Sequence, residues 1–225
     1  MKRQTCAIAL AALLTGPLHA AGPLVERPWT HYNTLLEMLK MEKFYAAAPA
    51  LRDKVIMQGV IHPDDPTIAP KDVVLTIVDG ADRQRIVINA DGSFAVPFNP
   101  DWVKANPEVL TSIPAGQKSK FGFQLLPVLP KRTQLDYASL MGPVPQANAL
   151  IKSQAGVLRF MMPTMVGITL QFPKTAHASV SVGGSKPVDA DAKGVVTLRL
   201  DKALMAANVP VTLSELPASA DFLED

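Results

Sequence analysis

The sequence predicts a mainly β (α+β) protein, made of two related small β-sandwich-like modules with an N-terminal helix and a connecting helix. Three observations predict this class. Apolar and polar residues alternate in short segments spaced by about 8 to 12 residues, as in sandwich strands. Many of the 20 prolines fall at the ends of those segments, where they break no central ladder. One pattern of turn, strand, helical turn and strand also occurs twice.

The repeated pattern is ADGSFAVPFNPDWVKANPEV at residues 90–109 and AKGVVTLRLDKALMAANVPV at residues 192–211, so the second copy begins 102 positions after the first. In each copy the alternation puts one set of side chains on one face of a strand. Gly92 and Gly194 precede the strands, where a tight turn needs a residue that tolerates positive φ.

A short helix should follow each strand. Asn99 or Asp201 can accept a backbone N–H as an N-cap, and Asn106 or Asn208 can end the helix in the left-handed conformation. Two interpretations stay open: an internal duplication of a small β module, or turn patterns that β proteins reuse without common descent.

Alternation predicts the remaining strands in order, and a 3.6-residue apolar period predicts two helices. The predicted strands are residues 54–61, 73–78, 84–89, 93–98, 109–113, 119–129, 166–172, 178–182, 195–200 and 209–216. The predicted helices are residues 30–43, with Thr30 as N-cap, and 144–161. The predicted organisation is a signal peptide (1–20), an N-terminal helical segment (21–50), β module 1 (51–131), a connecting helix (132–164), β module 2 (165–217) and an acidic tail (218–225).

The first twenty residues, MKRQTCAIALAALLTGPLHA, have the charged start, apolar core and small-residue end of a secretory signal. We expect cleavage near Ala20 and a periplasmic or secreted mature protein with no integral membrane segment; the alternative is a retained N-terminal anchor. Cleavage would remove Cys6, the single cysteine, and with it disulfides and thiolate chemistry. It would also leave 20 basic and 20 acidic residues, a balance that argues against nucleic acid as a partner.

Few residues suggest catalysis. The sequence HPDDP at residues 62–66 could hold calcium or supply an acid and a base, which is the basis of an alternative hypothesis that the protein is a hydrolase, but it is also typical of a solvated turn. The sequence VGGSKP at residues 182–187 could cradle an anion or form a hairpin turn. Trp29 and Trp102 could form a sugar platform or lie in the core.

Methionines give the candidate metal site. Met161, Met162 and Met165 lie within five residues, and thioethers select copper(I), with His177 as a further ligand. Methionine also fills irregular cores, so the copper hypothesis competes with packing.

The runs NADGSFAVPFNPDWVKANPEV (89–109) and LDYASLMGPVPQANALIKSQAGVLRFMMPTMVGITLQF (135–172) resemble an uncharacterised family of exported proteobacterial proteins, a domain of unknown function. Asn106-Pro107, Tyr137, Gln146 and residues 161–164 and 167–172 carry the resemblance, which would extend over residues 30–217. It implies export and no particular activity.

The residues therefore favour a non-catalytic binding or assembly accessory of the cell envelope, with a methionine-rich copper-binding factor and an unrecognised hydrolase as alternatives. We expect no cofactor, and a partner that is another envelope protein or a peptide bound by exposed strand edges. The oligomeric state stays open.

Overall fold

The structure is a computed structural model that describes residues 25–155, 163–173 and 177–225. Within these residues the chain forms four antiparallel sheets and six short to medium α-helices. The mainly β prediction is confirmed.

The chain divides into two halves that follow one plan. The first half contains β1 (Arg27–His31), α1 (Tyr32–Met38), α2 (Met41–Ala46), β2 (Val55–Pro63), β3 (Leu75–Asp79), β4 (Asp82–Ile86), β5 (Ser93–Phe94), α3 (Pro100–Ala105), β6 (Glu108–Thr111) and β7 (Ser119–Pro127). The second half contains β8 (Gln134–Asp136), α4 (Tyr137–Met141), α5 (Pro143–Ala155), β9 (Met165–Gln171), β10 (Ser179–Val182), β11 (Val188–Asp189), β12 (Val195–Arg199), α6 (Lys202–Ala207), β13 (Pro210–Leu213) and β14 (Ser219–Glu224).

The sheets repeat as well as the elements. The first half has the strand orders β1-β6-β3-β4 and β5-β2-β7, and the second has β8-β13-β10-β11 and β12-β9-β14. Replacing each strand of the first half by the strand at the same place in the second half gives the second pair of orders. The structural repeat therefore covers residues 27–127 and 134–224, including the helices that precede β2 and β9.

The turn glycines and helix N-caps of the repeated pattern have the conformations that the sequence predicts. Gly92 and Gly194 have φ of 84° and 80°. The Asn99 side chain accepts a hydrogen bond from the Asp101 amide, and Asp201 accepts from the amides of the second and third residues of α6. Both short helices thus begin at the predicted caps.

The asparagines that end these helices have a second structural role, which is the same in both halves. Asn106 and Asn208 adopt left-handed φ of 51° and 46°, as predicted. Their side-chain oxygens also accept hydrogen bonds from the Asn33 amide (3.0 Å) and the Ala138 amide (2.9 Å), at the starts of α1 and α4. Each asparagine therefore joins two helices that are distant in sequence.

Several predicted boundaries were wrong for identifiable reasons. The predicted helix at 30–43 is two helices, because Lys40 has a left-handed φ of 57°, and its start belongs to β1 instead of being capped by Thr30. The predicted strand at 93–98 pairs only at Ser93–Phe94; Pro97 further on has no N–H to donate. Residues 219–224, within the predicted acidic tail, form β14. The helix predicted at 144–161 is described as Pro143–Ala155, and the rest of it lies outside the described residues.

The cores of the two halves are joined through α5 and through the edge strands β7 and β14. Gln146 on α5 accepts a hydrogen bond from the Lys54 amide (2.7 Å) and donates to the Asp53 carboxylate (2.7 Å) and the Ala50 carbonyl (3.3 Å). This side chain fixes the second half to the loop before β2. Among the described helices, none has the length and apolar character that a membrane span requires.

Candidate binding cleft between the two halves

Four of the eight edge strands of the described sheets are protected against pairing with another chain by short length or by charge. Three of them, β5, β8 and β11, have only two or three residues. The edge strand β4 is exposed and charged, and its Arg83 pairs with Glu26. Short length and charge are the usual ways in which proteins prevent edge pairing.

The strand β7 lacks this protection. It has nine residues, SKFGFQLLP, and it pairs with β2 along its whole length while its other side is a sheet edge. It carries one charged side chain, Lys120, near its start. An edge of this length and apolar character is the kind that other chains recognise.

The side of β7 that faces inward is incompletely covered. Phe121, Phe123 and Leu125 alternate along one face, and their partners on β2 include the buried Ile61 and Met57. Trp29 stacks on Phe121 at a centroid distance of 4.7 Å. Phe123 remains 38% exposed on this same face.

Phe123 is exposed because a cleft opens between the two halves. The edge strands β7 and β14 approach to within 8 Å between Cα atoms, but no ladder joins them among the described residues. The cleft between them has a volume of about 330 Å³. It is lined by Phe123, Gln124, Leu125, Leu126, Ile151, Pro163, Met165, Asp221, Phe222 and Glu224.

Apolar side chains form most of the cleft, and its charge comes from β14. Asp221 and Glu224 are the ionisable groups of the described lining, which contains no basic side chain. Both are exposed on β14, and neither has an ion-pair partner within the described residues. Such a cleft can hold apolar groups beside a cation.

The residues of the predicted copper site divide between described and undescribed parts. Met165 begins β9, is buried, and lines the cleft; its N–H donates to the Asn148 side-chain oxygen (2.9 Å) and its carbonyl accepts from the Asn148 amide group (2.8 Å). Met161 and Met162 lie outside the described residues. His177 is exposed before β10, with a left-handed φ of 79°. Among the described residues no group of three or more His, Cys, Asp or Glu is arranged to hold a metal ion.

The other candidate motifs lie elsewhere. His62 and Asp64 are exposed at the end of β2, and Asp65 accepts hydrogen bonds from the Thr67 amide (2.9 Å) and hydroxyl (2.7 Å) in an Asx turn. The glycines of VGGSKP, Gly183 and Gly184, both have positive φ in the turn between β10 and β11. These two motifs form turns, one of the two interpretations that the sequence left open for each.

The two tryptophans are held by separate aromatic partners. Trp29 lies on Phe121, whereas Trp102 meets Tyr32 edge to face at 5.6 Å. Both are half-buried against the core of the first half.

The carboxyl groups whose acidity is changed belong to turns and caps. The Ser93 hydroxyl and amide donate to Asp91 and lower the pKa of its carboxyl; the Thr67 donors lower the pKa of Asp65 in the same way. Backbone N–H donors similarly lower the pKa of Asp136 and Asp191. These four groups are outside the cleft and stay ionised near neutral pH.

Sequence reasoning missed the cleft residues Phe123, Asp221, Phe222 and Glu224. The alternation of Phe121, Phe123 and Leu125 was visible, but which strand becomes an edge depends on pairings distant in sequence. The signal for β14 was weaker, because only Ala220 and Phe222 alternate with polar residues in a short acidic segment.

A family model described as "Protein of unknown function (DUF2987)" matches residues 73–172, from just before β3 to just after β9. The matched segment includes β7, α5 and β9, which supply most of the cleft, but excludes β14. No curated protein and no solved structure gave a significant match. Over residues 73–172 the chain is therefore similar to a family of unknown function, which supports the predicted resemblance to a domain of unknown function within those residues.

Proposed function

We propose that this protein is a non-catalytic binding or assembly accessory of the cell envelope, which holds an extended segment of a partner protein at the cleft between β7 and β14. The observation that carries the proposal is Phe123, an aromatic side chain on the inner face of its sheet that is 38% exposed. Phe123 adjoins the apolar lining of the cleft, and a contiguous apolar patch of this kind marks an interaction site, whereas a single exposed apolar residue such as Val87 does not.

The edge of β7 supports an extended partner. An edge strand offers unpaired N–H and C=O groups at alternate residues, and these bind another extended chain without regard to its sequence. The adjoining cleft then accepts side chains and supplies the selectivity. With a volume of about 330 Å³ it is at the small end of ligand pockets and suits a few side chains.

The charges of the described residues support a binding function over a catalytic one. The carboxyl groups with lowered pKa are ionised acceptors in turns and at a helix N-cap, which makes them poor general acids near neutral pH. Burial raises the pKa of Tyr32, Tyr45 and Tyr137, and each hydroxyl donates a hydrogen bond to a backbone carbonyl. None of these groups lines the cleft.

The N-terminal sequence supports the location. Residues 1–20 have the composition of a secretory signal, and the rest of the chain has no cysteine, so the fold does not depend on the redox state of its compartment. Fractionation of cells should find the protein in the periplasm, beginning at Ala21. A cytoplasmic protein that retains residue 1 would contradict the exported part of the proposal.

Photocrosslinking in cells tests the binding surface. A photoreactive phenylalanine analogue placed at Phe123 should form one dominant adduct with another envelope protein. The control places the same analogue at Val87, which is 74% exposed beside the protected edge strand β4 and should give no such adduct. Equal adducts at both positions, or adducts only at Val87, would contradict the proposed surface.

A further inference from the structure

Resting on the proposed function, we infer that the partner segment is basic as well as apolar: it places apolar side chains in the cleft and a lysine or arginine against Asp221 and Glu224. The argument uses the width of the cleft, its lining and its charge.

The width of the cleft decides how the partner enters it. Paired strands lie about 4.7 to 4.9 Å apart, so a strand hydrogen-bonded to both β7 and β14 needs about 9.5 Å between them. The two strands approach to within 8 Å between Cα atoms. Where the strands come this close a partner backbone does not fit between them, so there only its side chains enter. We place the partner backbone along β7 beyond those positions.

The lining decides which side chains enter. Phe123 and Leu125 of β7, Ile151 of α5 and Phe222 of β14 offer apolar surface from three different elements. Burial of apolar surface is the main source of affinity at such a site. An extended segment that alternates apolar and polar residues presents one apolar row to this lining.

The charge decides what flanks the apolar row. Asp221 and Glu224 are three positions apart on β14, at the wall that faces β7, and the described lining holds no cation. A carboxylate at the flank of the partner would be repelled, whereas an ammonium or guanidinium group would be attracted. Because both acids are exposed, the effect is a modest preference and depends on salt.

Three synthetic peptides test this inference by calorimetry at low salt. The first has eight residues, alternates valine with threonine and ends in two lysines; the second ends in two glutamates; the third is the lysine peptide with proline at the central valine. We expect the lysine peptide to bind roughly three- to tenfold more tightly than the glutamate peptide, and the proline peptide to bind more weakly because it loses an edge hydrogen bond.

Matched variants locate the effect. The Asp221→Asn/Glu224→Gln variant should remove the preference for lysine while both peptides still bind. The Asp79→Asn/Asp82→Asn variant removes two charges from the β3–β4 turn, outside the cleft, and should leave the preference unchanged.

The outcomes separate the two proposals. If the lysine and glutamate peptides bind equally well, the basic partner is excluded and the proposed binding of extended segments stands. If no peptide binds but laurate does, or if the protein forms dimers that Phe123→Lys abolishes, the occupant is an acyl chain or a second copy, and both proposals fail.

Discussion

The two halves of this protein share a scaffold but differ in the residues that fill it. In the first half the Tyr32 hydroxyl donates to the Pro97 carbonyl (2.7 Å) and accepts from the Asn99 amide (3.2 Å). In the second, the Tyr137 hydroxyl donates to the Arg199 carbonyl (3.2 Å) and accepts from the Asp201 amide (2.9 Å). Contacts present in both halves are requirements of the fold, so features present in one half are where function is to be sought.

The differences lie in aromatic content and in the edge strands. The positions of Phe94, Phe98 and Trp102 in the first half are taken by Val196, Leu200 and Leu204 in the second. The edge strand β7 is longer and apolar, whereas its counterpart β14 is shorter and acidic. The cleft is formed where these two unlike edges meet, which a symmetric pair of halves would not provide.

The largest predicted effect concerns a strand pair in which the large and the small side chain lie on different strands in the two halves. Gly59 pairs with Phe94, and a Cβ at Gly59 would lie 2.4 Å from the Phe94 ring; at the matching place Leu170 pairs with Val196. Gly59→Leu should lower the free energy of unfolding by about 3 kcal/mol or more, because the ring cannot move out of the core. Denaturant unfolding measures the loss.

The double variant Gly59→Leu/Phe94→Val copies the pair of the second half. It should recover a large part of the stability lost in Gly59→Leu, so that the two changes are not additive. Additive losses would show that the Gly59–Phe94 pair and the Leu170–Val196 pair are not structurally equivalent.

The second effect concerns the bridging tyrosines. Tyr32→Phe and Tyr137→Phe each remove a hydroxyl that donates one hydrogen bond and accepts another, so each should cost about 1 to 3 kcal/mol. The two losses should agree within about 1 kcal/mol if the hydroxyls have the same structural role. Thermal and denaturant unfolding of both variants test this, and a cost confined to one half would contradict the shared role.

The asparagines give the third effect. Asn106→Gly keeps the left-handed backbone accessible and loses the bond from the Asn33 amide, at a cost of about 1 kcal/mol. Asn106→Ala loses the bond and adds the cost of a left-handed alanine, about 1 kcal/mol more. At Asn208, too, the glycine variant should be more stable than the alanine variant. An alanine variant as stable as the glycine variant would show that the backbone conformation is not what selects asparagine.

The smallest predicted effect is on how steeply the free energy of unfolding falls at acid pH. The Ser93 donors lower the pKa of Asp91 in the folded state, so ionised Asp91 stabilises the fold above the ordinary carboxyl pKa, and this contribution is lost as pH falls through the lowered value. Asp91→Asn should therefore make stability fall less steeply below about pH 4. Asp189→Asn, which removes an exposed carboxylate from β11, is the control. If Asp91→Asn loses stability at acid pH as steeply as the unchanged protein, ionised Asp91 does not stabilise the fold as described.

Sequence patterns predicted the parts of the fold that depend on local chemistry. The caps at Asn99 and Asp201 and the left-handed Asn106 and Asn208 follow from short-range hydrogen bonding and backbone preference, and the strands with clear alternation were found. Strands β1, β8 and β11 were missed because they have two to five residues and form only through partners far along the chain. The cleft could not be predicted, since it needs the edge order of two sheets and a strand, β14, whose acidic sequence resembles a tail.

Hydrogen exchange with the lysine-ended peptide tests the central claim, that unlike edges from the two halves form one binding site. We predict slower amide exchange in residues 119–127 and 219–224 together when the peptide is added, with no change in residues 82–86. Protection of residues 82–86, or protection of one half alone, would contradict a site shared between the halves.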